Sequence, residues 1–144
     1  MRRRALQVVL RLRHLAVDEA KRALAEHLAA ETSAEASEQA AQSAIRREAE
    51  VASALEAGDG AVEAFAAWLP RGQAALDQAR RRREEVDLAV TRTRAALRVA
   101  RADEAAVERL LATQDAAQAA EGARREQAAL DETARNQHQR RIIS

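Results

Sequence analysis

The sequence predicts an all-α fold in which two long helices pair as an antiparallel coiled-coil hairpin, the second helix being the longer. Three observations support this. Of the 144 residues, 47% are hydrophobic and 33% are charged, but there is one Trp, one Phe and no Tyr, so Ala, the strongest helix former, supplies most apolar positions. Apolar residues recur at alternating steps of three and four, as in paired helices. One Gly pair separates the two halves of this pattern.

The pattern is strongest in the second half, where it starts at Val62 and continues for about seven heptads. One row contains Val62, Leu69, Leu76, Arg83, Val90, Leu97, Glu104 and Leu111. The companion row contains Phe65, Gly72, Ala79, Val86, Thr93, Ala100 and Val107. This predicts a second helix over about 61–136. Pro70 lies within it and predicts a kink or short break, because proline cannot donate to the helix ladder.

The first half carries a weaker version of the pattern and predicts a first helix over about 4–57. Its two rows contain Leu10, Val17, Leu24, Ile45 and Ala52, and Leu6, Ala20, Ala34, Ala41 and Leu55. Residues 31–42 have almost no large apolar side chains, so the loosest pairing is expected there. Thr32 and Glu35 have the spacing of a capping box, but an uninterrupted helix is favoured because no stop signal lies nearby.

The connection is predicted at residues 58–60, where Gly58 and Gly60 flank Asp59. Gly58 suits a left-handed cap on the first helix, and so short a connection favours antiparallel neighbours. The whole chain, 1–144, is therefore expected to form a single hairpin domain. Residues beyond about Ala117 would lack a partner on the first helix, and a frayed tail is expected over 137–144.

No residue pattern indicates an enzyme, a cofactor site or a metal site. His14 and Asp18 have helical i,i+4 spacing, but no further ligand converges in the sequence. Nucleic-acid binding is not expected, because the Arg80 to Arg83 cluster is followed at once by acids and no aromatic stacking platform exists. The basic N-terminal stretch allows at most peripheral membrane contact. The absence of Cys is compatible with the cytoplasm.

The large aromatics are concentrated in Phe65-x-x-Trp68-Leu69, just after the turn. Helical spacing places all three residues on one side, and two interpretations are open. They cap the end of the coiled coil, or they form a docking patch in which Trp anchors a partner protein. Both interpretations hold together if one edge of the patch is buried and another is exposed.

These features resemble the flagellar type III export protein FliJ and its injectisome relatives, the YscO-type stalk proteins. The resemblance covers nearly the whole chain and rests on the Leu- and Arg-rich start, the Phe65-x-x-Trp68-Leu69 motif and the Arg124-Arg125-Glu126 to Leu130-Asp131-Glu132 ending. It implies a non-enzymatic central stalk and chaperone-escort protein that links the export ATPase ring to the export gate. The flagellar and injectisome systems remain alternatives.

The resemblance also implies two protein-binding surfaces. The gate side would contain Phe65, Trp68, Leu69 and Leu76. The ATPase side would contain Leu6, Leu10, Arg11, Arg13, Glu126, Leu130, Asp131, Arg135 and Arg140. Its implied partners are the ATPase ring, the cytoplasmic domain of the gate and export chaperones, and its implied location is cytoplasmic, at the export apparatus on the inner membrane.

A generic structural or scaffolding coiled coil is the alternative function, because composition supports it equally well. Oligomeric state separates the two. A hairpin satisfies its own seam and is expected to be a monomer, whereas an extended helix would need a second chain.

Overall fold

The computed structural model describes residues 2–54 and 56–143, which form two long α-helices. Helix α1 spans Arg2–Ser53 and helix α2 spans Gly58–Ile143. The helices pack against each other, and no strand occurs in these residues. Arg3 of α1 pairs with Asp115 of α2, and Arg13, later on α1, pairs with Asp103, earlier on α2. The two helices are therefore antiparallel. The predicted all-α hairpin is confirmed.

The connection between the helices lies before the predicted one. Helix α1 ends at Ser53, and Gly58 already begins α2, so the expected turn at 58–60 is replaced by a connection over 54–57, in which Leu55 lies outside the described residues. The amide of Ala57 donates to the carbonyl of Ala54 at 3.0 Å. Gly58 has φ of 69°, the left-handed conformation expected of it. It starts α2 there and does not cap α1.

Helix α2 is longer and more regular than the sequence suggested. Helix α2 runs through Pro70, so the break is absent and the kink stays a prediction. It also continues to Ile143, beyond the predicted end near residue 136, and Ser144 of the expected tail lies outside the described residues. Arg140 and Arg141 in the last turn favour this extension because cations interact well with the C-terminal dipole. Helix α1 is uninterrupted, as expected, and Thr32 Oγ1 donates to the Leu28 carbonyl within it.

The chain divides into two compact units. The central unit contains residues 17–100, of which residue 55 is not described, and the terminal unit contains residues 2–16 and 101–143 of those described. The single hairpin domain remains a prediction. Neither helix, over the described residues, offers a stretch that is long and apolar enough to cross a membrane.

The core of the central unit follows the predicted heptad rows. Its buried apolar residues are Val17, Ala34, Val86, Val90 and Leu97. All five come from the rows identified by alternating steps of three and four, so the apolar pattern defines the helix faces that meet.

Ion pairs accompany the buried Ala34 in the central unit where the sequence suggested loose pairing. Arg83, a seam position, donates to Glu38 at 2.9 Å and lies 3.7 Å from Glu35. The Glu38 side chain is only 14% exposed, so a cation beside it offsets the cost of burying its charge. The Arg83 pKa is raised by its hydrogen bond to Glu38. Within residues 31–42, where loose pairing was expected, a salt bridge thus joins the two helices.

The terminal unit is more polar. Val107 is its buried apolar residue among those described. Arg3 donates to Asp115 at 2.8 Å, and Arg13 lies 3.5 Å from Asp103. The hydrogen bond from Arg3 lowers the pKa of Asp115.

Candidate protein-binding surfaces

The predicted docking motif forms one cluster on α2 in the central unit. The rings of Phe65 and Trp68 are stacked, with centroids 6.3 Å apart and an interplanar angle of 29°. Phe65, Trp68, Leu69 and Leu76 are all half-buried. We call these four residues the aromatic patch. Its partial burial agrees with packing on one edge and accessibility on another, so the two interpretations of the motif remain compatible.

Gly72 makes room for this patch. It is buried, and an ideal Cβ at this position would lie 2.5 Å from Cη2 and 2.7 Å from Cζ3 of Trp68. A side chain at residue 72 would therefore force the indole to move. The sequence alone does not explain why a glycine occurs at position 72 of a helix. In the structure, the absence of a side chain there leaves space for the Trp68 ring.

The residues predicted for the other surface occupy two different settings in the terminal unit. On α1, Leu6 and Leu10 are half-buried, whereas Arg11 and Arg13 are exposed. Arg13 is in part engaged by Asp103. The leucines thus contribute to pairing with α2, Arg13 adds an ion pair to it, and Arg11 is exposed.

A second apolar row on α1 is the feature that the sequence reading missed. Val8, Leu12 and Leu15 are exposed, and Leu12 and Leu15 are 59% and 60% exposed. Their spacing of four and three residues places them on one face of the helix. We call them the α1 outer row. The signal was present in the sequence, but Leu6 and Leu10 already accounted for the seam, so these neighbours were not assigned a face.

An open groove lies beside the start of α1. It has a volume of about 490 Å³ and is mainly apolar. Its lining residues are Arg2, Ala5, Leu6, Leu110, Thr113, Gln114 and Ala117. Within the described residues, the Oε1 atom of Gln114 is buried without a hydrogen-bond partner.

The predicted residues of the C-terminal stretch are all exposed, and none of them lines the groove. These are Glu126, Leu130, Asp131, Arg135 and Arg140. Glu126 follows Ala117 by roughly two and a half helical turns. Leu130 is exposed beside Glu126, and Gln127 donates to Asp131 at 3.0 Å. The structure therefore does not join this stretch to Leu6 and Leu10 in one site.

His14 has cross-helix neighbours that the sequence reading did not find. Its Nδ1 lies 2.6 Å from Oε2 of Glu104, and Glu108 is close to both residues. Spacing along α1 relates His14 only to Asp18 on its own helix. Contacts between two helices could not be read from spacing along one of them.

Comparison with known proteins gives one positive result. A family model described as "Flagellar FliJ protein" matches residues 1–142. The searches of curated proteins and of solved structures found no match.

Proposed function

Since the chain belongs to the FliJ family, we propose that it is the central stalk that links the export ATPase ring to the export gate. Family membership makes it a component of flagellar type III protein export, and a structural export protein rather than an enzyme. The match over residues 1–142 is the observation that supports the proposal most strongly, because it includes both helices and their connection.

The aromatic patch is proposed to contact the cytoplasmic domain of the gate. A half-buried Trp is well suited to this role, because it is held in place by its own helix and still offers apolar area to a partner. Trp68 rests over Gly72 and against Phe65, so its position is set before binding. Preorganised anchors lose less conformational entropy on association.

The terminal unit is proposed to contact the ATPase. The exposed face of α1 presents the outer row together with Arg11, so apolar area and positive charge lie on the same helix. The exposed C-terminal stretch of α2, with Glu126, Leu130, Asp131, Arg135 and Arg140, would add further contacts. Mixed charges of this kind bind weakly in water, which suits a subunit that must shift among ring positions.

Escort of export chaperones and a cytoplasmic location at the inner-membrane apparatus are further parts of the proposal. They rest on family membership alone. The same holds for the monomeric state, which light scattering would test over a range of concentrations. A dimer that strengthens with concentration would favour a scaffolding coiled coil.

Three double variants test the two surfaces. Trp68→Ala with Leu69→Ala changes the aromatic patch, and Leu12→Ser with Leu15→Ser changes the α1 outer row. The matched control is Leu88→Ser with Val99→Ser, since both residues are exposed and lie on neither surface. Binding of each purified chain to the export ATPase and to the gate domain would be measured by titration.

We expect each surface variant to lose one partner only. Loss of a Trp anchor costs about 2 kcal/mol or more, which weakens gate binding by roughly 30-fold. The outer-row variant should lose the effect of the chain on ATPase assembly and hydrolysis while gate binding persists. The stalk proposal fails if the wild-type chain changes neither hexamer assembly nor hydrolysis, or if the control variant loses as much binding as the other two.

A further inference from the structure

Three metal-ligating side chains converge in the terminal unit. His14 comes from α1, whereas Glu104 and Glu108 come from α2 and are four residues apart, so they share one helix face. One ligand atom of each residue lies within 4.8 Å of the other two. The antiparallel pairing that sets Arg13 beside Asp103 also brings His14 to Glu104.

We propose that His14, Glu104 and Glu108 bind a late first-row divalent metal ion, with zinc as its representative, and that the ion joins α1 to α2. One imidazole nitrogen and two carboxylates form a donor set that zinc accepts at about 2.0–2.2 Å, with a fourth position left for water. Magnesium and calcium prefer oxygen ligands only and more of them. The nitrogen donor therefore selects for the transition metal.

The three ligand side chains must adjust to reach one ion, and the Glu108 oxygen, within 4.8 Å of the other two ligand atoms, must move closer to them. Nδ1 of His14 and Oε2 of Glu104 are 2.6 Å apart. Two ligands on a tetrahedral zinc ion are about 3.3 Å apart, so the pair must open by about 0.7 Å. His14 is exposed and its side chain has room to move. The metal would replace the hydrogen that now lies between the two atoms.

The surrounding charges favour the ion. Glu104 is a seam residue whose side chain is 22% exposed, so its charge is partly removed from water. Arg13, which precedes His14 in the sequence, lies 3.5 Å from Asp103 and is paired with that carboxylate. Glu108 forms no ion pair with any residue that the structure describes. Both carboxylates thus remain available to a cation.

The site exists only when the two helices are paired, because its ligands come from both. An ion that binds the folded state and not the unfolded state must stabilise the fold by mass action. Zinc is therefore expected to hold the start of α1 against α2. This role is separate from the proposed stalk function and does not depend on it.

Calorimetric titration of the full chain with Zn²⁺, and separately with Mg²⁺, tests the site. We expect one Zn²⁺ per chain and no saturable binding of Mg²⁺. Glu108→Gln is the sharpest variant, since it keeps the side-chain shape and disturbs no ion pair. It should weaken Zn²⁺ binding at least about tenfold, because even outer-shell changes cost roughly 10–100-fold. His14→Gln should do the same.

His138→Gln is the matched control, because His138 is an exposed histidine elsewhere on α2. It should bind Zn²⁺ like the wild type. Circular dichroism then gives a second readout: Zn²⁺ should raise the melting temperature of the wild type and of His138→Gln, but not of Glu108→Gln. The proposal is overturned if the wild type shows no saturable binding, or if Glu108→Gln and His14→Gln bind and melt as the wild type does.

Discussion

Replacement of Gly72 by alanine is the sharpest test of how the aromatic patch is built. The added methyl carbon would lie 2.5 Å from Cη2 of Trp68, well inside contact distance. The helix backbone cannot yield easily, so the indole must move. We predict that Gly72→Ala displaces the Trp68 ring into water without removing it.

Two opposing effects set the change in the free energy of unfolding caused by Gly72→Ala. Ala is favoured over Gly within a helix by about 1 kcal/mol. An indole buries roughly 200 Å² when fully covered, so half-buried Trp68 loses roughly 100 Å² of contact, or about 2.5 kcal/mol, if it is fully displaced. Gly72→Ala should therefore destabilise the chain by up to about 1.5 kcal/mol. A glycine with free space would gain stability on the same change.

Fluorescence and urea unfolding provide the assay. Trp68 is the single tryptophan, so the emission spectrum reports on this ring alone. We expect a shift to longer wavelength in Gly72→Ala and a lower unfolding midpoint. Gly122→Ala is the control, because no atom lies within 4 Å of the added carbon there, and its emission should be unchanged. A Gly72→Ala chain that gains about 1 kcal/mol with unchanged emission would refute the packing argument.

Three further predictions concern the seam and its charges. Leu97→Ala should cost about 2 kcal/mol in urea unfolding, since Leu97 is 7% exposed, whereas Leu88→Ala, at a site 56% exposed, should change stability by less than about 0.5 kcal/mol. Arg3 lowers the pKa of Asp115, so this pair stabilises the fold at pH values above the ordinary Asp pKa, and the stabilisation is lost as pH falls through the lowered pKa. Asp115→Asn should therefore lose less free energy of unfolding on acidification than the wild type. Burial and a neighbouring acid raise the pKa of Glu31, so its charge increasingly opposes folding as pH rises from the ordinary Glu range through the raised value. Glu31→Gln should therefore stabilise the chain more at pH 7 than at pH 4. Equal effects at the two pH values would contradict the assignment.

The fold class was predictable because one simple signal dominates it. Val86, Val90 and Leu97 recur at steps of four and seven, and all three are buried. Such spacing specifies which helix face is covered, whatever covers it. The antiparallel direction followed from the short connection near Gly58.

The ends of the helices were harder to predict because local preferences there are weak. Ala-rich sequence continues on both sides of Ser53, so nothing in the composition sets the end of α1. Pro70 was expected to kink or break α2, because proline inside a helix costs about 3 kcal/mol or more. The helix nevertheless continues through it, since packing along one face over 86 residues offsets that cost.

Cross-helix polar contacts could not be predicted at all, because they depend on the register between the helices. Arg83 and Glu104 looked like defects in the heptad rows. In the structure, Arg83 meets Glu38 and Glu104 meets His14. The contact of Gly72 with Trp68 lies within α2 and could not be predicted for another reason, because it depends on the direction of the Trp68 side chain.

The distribution of apolar residues on the first turns of α1 bears on function. Pairing with α2 uses Leu6 and Leu10, which are half-buried. A helix that had only to pair would be expected to be polar on its remaining faces, because exposed apolar rows contribute nothing to its own fold and favour aggregation. Leu12 and Leu15 are nevertheless exposed, on a different face of α1 from Leu6 and Leu10. The exposure of these leucines is explained if a partner protein covers them. The proposed contact with the ATPase is therefore better tested at the α1 outer row than at the seam leucines Leu6 and Leu10.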